Sequence, residues 1–294
     1  MAQAQQQAAD ARAAAQSRVR LELLTELVRK DLKVKYKNSA LGFIWSLANP
    51  LLYLAVFTLV FTFFLKNNVP WFAVLFMSGF LIWSFFNSAT LDATGAVVGN
   101  ANLVRKVRFP RVVLPLASVG FAGVHLVLQL LVFFVFLVVL YRDAFGPQLW
   151  LLVPALAVAV VFTVAMSLLA SSLNVRYRDV QHLLEIALLA WFWLTPIVYP
   201  VTVVRNELAG AGLLWMFKFY MANPMTAVVV AAQRAIYVHP VVTGNNHELV
   251  QVLPDGGYGF YVQWLAVAGA VSLALLAIGR WTFRRLQDDF AEEL

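Results

Sequence analysis

Apolar residues run in unbroken blocks of about twenty or more, the length a helix needs to cross the hydrocarbon core of a bilayer. From about Phe43 to Leu65 there is no charged residue at all. Only 13% of the 294 residues are charged, against roughly 25% in a soluble domain. That is too little charge to cover a soluble body of this size. A soluble enzyme, a disordered chain and a collagen-like chain are excluded. The expectation is an all-α integral membrane protein that crosses the bilayer several times.

Six transmembrane helices are predicted: Phe43–Leu65, a second starting at Trp71 and fading between Asn87 and Val98, Val112–Leu140, Gln148–Leu173, His182–Tyr199 and Phe260–Gly279. Lys and Arg beside spans are retained on the cytoplasmic side. With both termini inside, the segments 1–42, 91–111, 174–181 and 280–294 are cytoplasmic and hold 17 of the 22 basic residues. No apolar core or cleavage-like site marks the first 42 residues as a signal peptide. Nor does the charge of +7 point to nucleic acid, because it concentrates beside the spans.

Residues 1–17, rich in Ala and Gln, are expected to be a disordered tail. In 18–42, Val19, Leu23, Leu24, Leu27, Val28 and Leu32 recur at helical spacing, with Arg18, Arg29, Lys30 and Lys33 elsewhere. This predicts an amphipathic helix, lying on the inner leaflet, packed on the protein's own cytoplasmic side, or both. Residues 43–294 are expected to form one six-span transmembrane domain. Within it, segment 201–259 holds two apolar runs too short to span, Leu213–Phe217 and Met225–Val238. They predict two short interfacial or re-entrant helices before the last span.

Catalysis has little to work with. No Gly is followed by Lys, so there is no Walker-type phosphate loop. The four histidines, His125, His182, His239 and His247, lack metal-ligand spacing, and Cys is absent. No catalytic residue, metal or cofactor is expected in this chain.

Short motifs carry more than hydropathy does. Tyr36-Lys37-Asn38-Ser39-Ala40-Leu41-Gly42-Phe43-Ile44-Trp45, followed by Asn49-Pro50, leads into the first span. Phe109-Pro110-Arg111 and Leu114-Pro115 open the third, and Asn174-Val175-Arg176-Tyr177-Arg178-Asp179-Val180 links the fourth and fifth. Thr195-Pro196-Ile197-Val198-Tyr199-Pro200 closes the fifth, and Asn223-Pro224-Met225-Thr226 follows. In order and spacing, from about residue 20 to 285, the chain resembles the membrane subunit of polysaccharide-exporting ABC transporters. These are the Wzm/TagG-like permeases of O-antigen, teichoic acid and related cell-envelope glycans.

The resemblance implies a homodimeric permease in the cytoplasmic (inner) membrane of a bacterium. Two copies of a separate cytoplasmic ABC ATPase would supply ATP and Mg chemistry, and a lipid-linked polysaccharide would be the substrate. It further implies that the first cytoplasmic loop, 99–110, is the coupling loop. Asn102, Leu103, Arg105, Lys106, Arg108 and Phe109 suit a short docking helix, with Leu103, Val107 and Phe109 as apolar knobs and Asn100 or Asn102 as its cap. Positive-inside retention alone explains the basic residues but not Leu103 and Phe109. Arg176, Tyr177 and Arg178 form a second candidate contact, with Asp179 either part of it or the cap of the fifth span.

For the conduit, aromatic faces suit sugar rings. Tyr53, Phe57 and Phe61 share one face of the first span, and Phe72, Phe76, Phe80 and Trp83 one face of the second. Such stripes also serve packing or lipid contact. His125 and Gln129 lie one turn apart in the third span. Glu185, roughly 9 Å into the fifth, suits an entrance or a pair with Arg176 or Arg178. Gly95 and Gly99 make one GxxxG pattern for close helix contact. A lipid, drug or other small amphiphile is the alternative substrate; a membrane enzyme or passive channel fits less of the pattern.

Overall fold

The computed structural model describes residues 21–35, scattered positions between 48 and 60, and residues 69, 71–107, 109–239, 241–243 and 249–294. The 1–17 tail, Phe57, Phe61 and Arg108 lie outside the described residues, as does most of the expected first span. Helix α1 covers 21–35. It is followed by α2 (Phe72–Gly99), α3 (Ala101–Lys106), α4 (Val113–Leu140) and α5 (Leu152–Arg176). Two 3-10 turns join α4 to α5. Then come α6 (Val180–Leu194), α7 (Val201–Gly210), α8 (Leu214–Ala222) and α9 (Pro224–Ile236). Strands β1 (Val241–Thr243) and β2 (Leu249–Gln251) precede α10 (Gly257–Leu286) and α11 (Phe290–Glu293). The strands pair antiparallel with Val242 opposite Val250, a small exception to an otherwise helical chain.

Four described helices are long and apolar enough to cross a bilayer: α2, α4, α5 with its preceding turn, and α10. Helix α2 is the centre, with 78% of its apolar window buried against 28% in α4 and 22% in α10. A helix buried all round is core, whereas one with a single open apolar face borders another phase. Val127, Leu131 and Val135 of α4 and Leu273 and Ile278 of α10 form such open faces.

The second span does not fade after Asn87; α2 runs to Gly99. Two of its hydroxyls bond back to their own helix, while the Thr90 hydroxyl is buried without a hydrogen-bond partner among the described residues. Thr94 Oγ1 donates to the Thr90 carbonyl at 2.7 Å and Ser88 Oγ to the Ser84 carbonyl at 2.8 Å. Hydroxyls bonded back to the preceding turn leave the helix intact inside an apolar bundle. The fifth span is shorter than expected, because α6 stops at Leu194 and Thr195–Pro200 continues without helix.

Close helix approach depends on glycines other than the Gly95/Gly99 pair. A Cβ on Gly99 would meet nothing, and one on Gly95 only the Gln181 side chain, at 3.4 Å. At Gly279 of α10 a Cβ would sit 2.8 Å from the Ala165 backbone oxygen of α5, and at Gly79 of α2 it would sit 2.8 Å from Val229 of α9. Backbone cannot swing aside as a side-chain tip can, so Gly279→Ala must push α5 and α10 apart. We expect it to destabilise by about 1–3 kcal/mol, read as a lower Tm in detergent. Gly99→Ala should leave Tm unchanged.

The described residues of segment 201–259 hold three short helices and the hairpin, where two interfacial or re-entrant helices were expected. Helix α8 fits the interfacial expectation, with Trp215 and Phe219 exposed while Phe217 and Met221 turn inward. Helix α9 does not lie on a surface. All its residues except Arg234 are buried, because its Val and Ala side chains are small enough to be enclosed on every side. Its start follows the sequence signal: Pro224 occupies the first turn and the Asn223 side chain accepts from the Met225 N–H at 3.1 Å. Gln233 of α9 donates to the Pro196 carbonyl at 2.8 Å. Thr202 of α7 donates to the Gln251 carbonyl at 2.5 Å, tying β2 to the same assembly.

Candidate functional site

One end of the bundle gathers the chain's basic loops around a second, smaller core. Val97 of α2, Val104 of α3, Leu114 of α4, Val175 of α5, Phe283 of α10 and Phe290 of α11 form it. Phe283 and Phe290 meet edge to face at 5.4 Å. Leu27 of α1 packs against the same cluster, and Val28 reaches Gly120 of α4, where a Cβ would stand 3.0 Å from its methyl. Lys35 at the end of α1 lies 5.0 Å above the Phe121 ring. Leu24, Leu27, Val28, Asp31 and Leu32 are the less exposed residues of α1, a stripe at i, i+3, i+4, i+7 and i+8.

Helix α3 is held on this cluster through Val104, which is buried. Asn102, Arg105, Lys106 and Val107 remain exposed, Val107 by 51%. Leu103 and Phe109 are half-buried against the cluster. Of the loop's three apolar residues, Leu103, Val107 and Phe109, Val107 is the one turned outward. Neither expected cap forms: α3 has no side-chain cap bond, and Asn100 Nδ2 instead donates to the Ala96 carbonyl at 2.8 Å. The loop thereby fastens to the end of α2.

The second contact lies beside the first. Arg176, Tyr177, Arg178 and Asp179 are all exposed, with the Arg176 guanidinium 5.8 Å from the Tyr177 ring. Asp179 makes no cap bond to α6. That work falls to Asn174, whose Oδ1 accepts from the Gln181 N–H at 3.2 Å while its Nδ2 donates to the Thr94 carbonyl at 3.0 Å. The buried Asn174 thus joins α2, α5 and α6 at the root of both loops. Sequence reasoning noted Asn174 only as part of a motif; an Asn at a helix end beside a basic turn was the available signal. Asn174→Ala leaves two backbone groups without this partner, each costing about 1–3 kcal/mol. We expect a lower Tm and faster hydrogen exchange at the Gln181 amide; unchanged exchange would contradict the bracing role.

The conduit candidates divide by exposure. Phe72, Phe76, Phe80 and Trp83 are buried. Phe76 and Phe80 stack at 5.0 Å, and Trp83 meets Phe86 at 5.5 Å and Phe192 at 5.9 Å. Their rings are enclosed by this chain's own helices, and packing accounts for the burial of Phe76 and Trp83. Tyr53 is 48% exposed and touches Phe80 with ring centroids 5.1 Å apart. His125 is buried, its Nδ1 3.0 Å from the Phe121 carbonyl and within electrostatic reach of Lys35 and Asp92. Gln129, a turn away, is partly buried.

Glu185 does not pair with Arg176 or Arg178. Its carboxylate stands 3.7 Å from His182 Nδ1, both on the open side of α6. Leu183, Ile186, Leu189 and Trp193 of α6 are exposed, and only Leu188 of that helix is buried. Near the opposite end, Tyr199 and Tyr220 bring their hydroxyls to 3.4 Å. Burial, then the Tyr199 hydroxyl, raises the Tyr220 phenol well above its ordinary range, so it stays neutral.

Comparison with known proteins places this arrangement. Residues 22–237 match the ABC-2 type transporter membrane family. A protein from Myxococcus xanthus named O-antigen export system permease protein RfbA is 30% identical over 276 residues, covering 92% of this chain and 95% of that protein. Two proteins of the same name from Klebsiella pneumoniae are each 28% identical, covering 84% and 93% of this chain and 90% and 95% of their own length. The matched region contains α3, the Asn174 brace, α6 and the buried α9. On that match, the chain belongs to the ABC-2 type transporter family and is a membrane transport subunit rather than an enzyme.

Proposed function

We propose that this chain is the transmembrane subunit of an exporter that moves a lipid-linked polysaccharide out across the cytoplasmic membrane. It works as a homodimer with two copies of a cytoplasmic ATPase. The observation that carries the reading is the basic end: exposed Asn102, Arg105, Lys106 and Val107 beside exposed Arg176, Tyr177 and Arg178, all rooted in one buried cluster. A force applied to those loops passes directly to α2, α4, α5 and α10. The relatives named as O-antigen export permeases support a glycan substrate.

In this reading the first span, 43–65, and α6 complete six crossings. The 15 residues of α6 cover only about 22 Å, so Thr195–Pro200 and the packed α9 finish that crossing. Both termini and the basic end face the cytoplasm, where Lys and Arg are retained. Helix α1 lies along the inner surface with Leu24, Leu27 and Leu32 inward. The passage forms between two copies, along the open side of α6. His182 and Glu185 stand at its entrance, and Tyr53 with the first-span rings Phe57 and Phe61 lies along its wall. His125 and Gln129 stay behind that wall as a polar brace. Segment 201–259 is the outer gate, held shut by the bonds from Gln233 to Pro196 and Thr202 to Gln251.

Cells lacking the chain should accumulate the lipid-linked glycan on the inner face, shielded from a glycosidase added outside. Restoring the chain should return the glycan to the surface. Undiminished surface glycan in the deletion strain would overturn the assignment.

A further inference from the structure

We infer that each protomer holds one anionic phospholipid in a groove at the basic end, between α1, the start of α4, α5 and the last turns of α10. The groove has a volume of about 810 Å³, within the range of roughly 300–1,000 Å³ typical of small-ligand clefts. Its walls are apolar: Leu24 from α1, Leu116 from α4, Leu168 from α5, and Leu273, Leu276 and Ala277 from α10. Its lining includes Arg280 and Arg284 and, among the described residues, no Asp or Glu. An apolar slot with two cations matches acyl chains below an anionic headgroup.

The level is right for such a lipid. From Gly257 to Gly279 helix α10 has no charged residue, so Arg280 marks where the hydrocarbon ends and headgroups begin. Arg280 and Arg284 are four residues apart, on one helix face and about 6 Å apart along the axis. Two cations at that spacing can hold one phosphate between them. The last carbonyls of a helix alone repel an anion, and these two guanidiniums reverse the sign.

The other arginines at this corner are already engaged. Arg111 donates to the Gln287 carbonyl, and Arg285 lies 4.3 Å over the Trp281 ring. Arg280 and Arg284 have no carboxylate or ring partner among the described residues, and both are exposed. Because α1 forms one wall, a bound lipid joins α1 to α10 and makes α1's position sensitive to anionic lipid.

The test is native mass spectrometry of the intact chain released from detergent, with phosphatidylglycerol or phosphatidylcholine added at equal concentration. One phosphatidylglycerol per protomer should be retained at least tenfold better than phosphatidylcholine. R280Q/R284Q should reduce that retention roughly 10- to 30-fold, what two cations are worth at an anionic lipid surface. Ala277→Phe, which fills the groove and keeps both charges, should also remove it. Equal retention of the two lipids, or unchanged retention in R280Q/R284Q, overturns the site. So does a polyprenyl phosphate that displaces phosphatidylglycerol at equal concentration, since the occupant is then the substrate's anchor. Binding seen only after deletion of residues 1–17 also overturns it, since the chain's own N-terminal segment then fills the groove.

Discussion

R105E/V107D in this chain should reduce substrate-stimulated ATP hydrolysis of the assembled transporter at least tenfold, to the level of the ATPase alone. Val107 is the exposed apolar residue just past the end of α3, and Arg105, two residues earlier, is exposed in the same helix. Neither supports the bundle; Val104 does that from the buried side. The double change therefore places a carboxylate pair on the docking surface without opening the core, and Tm should be unchanged. Leu103→Asp and Phe109→Asp should also abolish stimulation. Both residues are half-buried on the second core, so those variants should lose stability too, by about 1–3 kcal/mol for a charge set against apolar neighbours. Full stimulation in R105E/V107D would remove α3 from the coupling path.

The second large effect is expected at α6. The chain has no cysteine, so single cysteines can be introduced without background. Ile186→Cys lies on the exposed stripe with Leu183 and Leu189. In membranes under oxidising conditions it should trap most of the chain as a disulfide-linked dimer, and the trapped form should stop exporting until reduced. Leu131→Cys, on the open apolar face of α4, should stay monomeric on the same gel. The contrast separates a helix that faces a second copy from one that faces lipid. Dimers from Leu131→Cys and none from Ile186→Cys would move the interface to α4.

Long apolar runs located α4 and α5 to within a few residues, because desolvation alone decides their state; α10 continues past the expected Gly279 to Leu286. Periodicity matched the less exposed side of α1 in part: Leu24, Leu27, Val28 and Leu32 lie on it, but Leu23 is exposed and Val19 lies outside the described residues. What hydropathy misjudged was polarity that the structure satisfies internally. The stretch from Asn87 to Val98 looked like the fading end of a span, but Ser88 and Thr94 bond back to their own helix. The apolar run after Asn223, too short to span, read as interfacial or re-entrant; all its residues but Arg234 are buried, which sets aside the interfacial alternative. No local signal tells an enclosed helix from one lying at a surface, since that depends on partners far away in the chain.

The candidate site divides the same way. Basic loops and their exposed Arg, Lys and Tyr side chains were legible from charge and motif. Which apolar residue turned outward was not, because the six-residue α3 has too little periodicity to orient Leu103 against Val107. The aromatic face of α2 was recognised as a stripe, but a stripe does not say whether it meets a passage or another helix. Asn174 escaped notice as a brace because its partners, Thr94 and Gln181, are separated from it by 80 and 7 residues.

The central claim is that this chain is the conduit of an ATP-driven exporter and contains none of the ATP chemistry itself. Its most direct test is to extract the tagged chain gently, identify what comes with it, and measure ATP hydrolysis with lipid-linked glycan added. The account predicts one ATPase subunit for each copy of this chain, with hydrolysis rising when the glycan is present. A chain recovered alone from intact membranes, or a bound ATPase indifferent to the glycan, would contradict it.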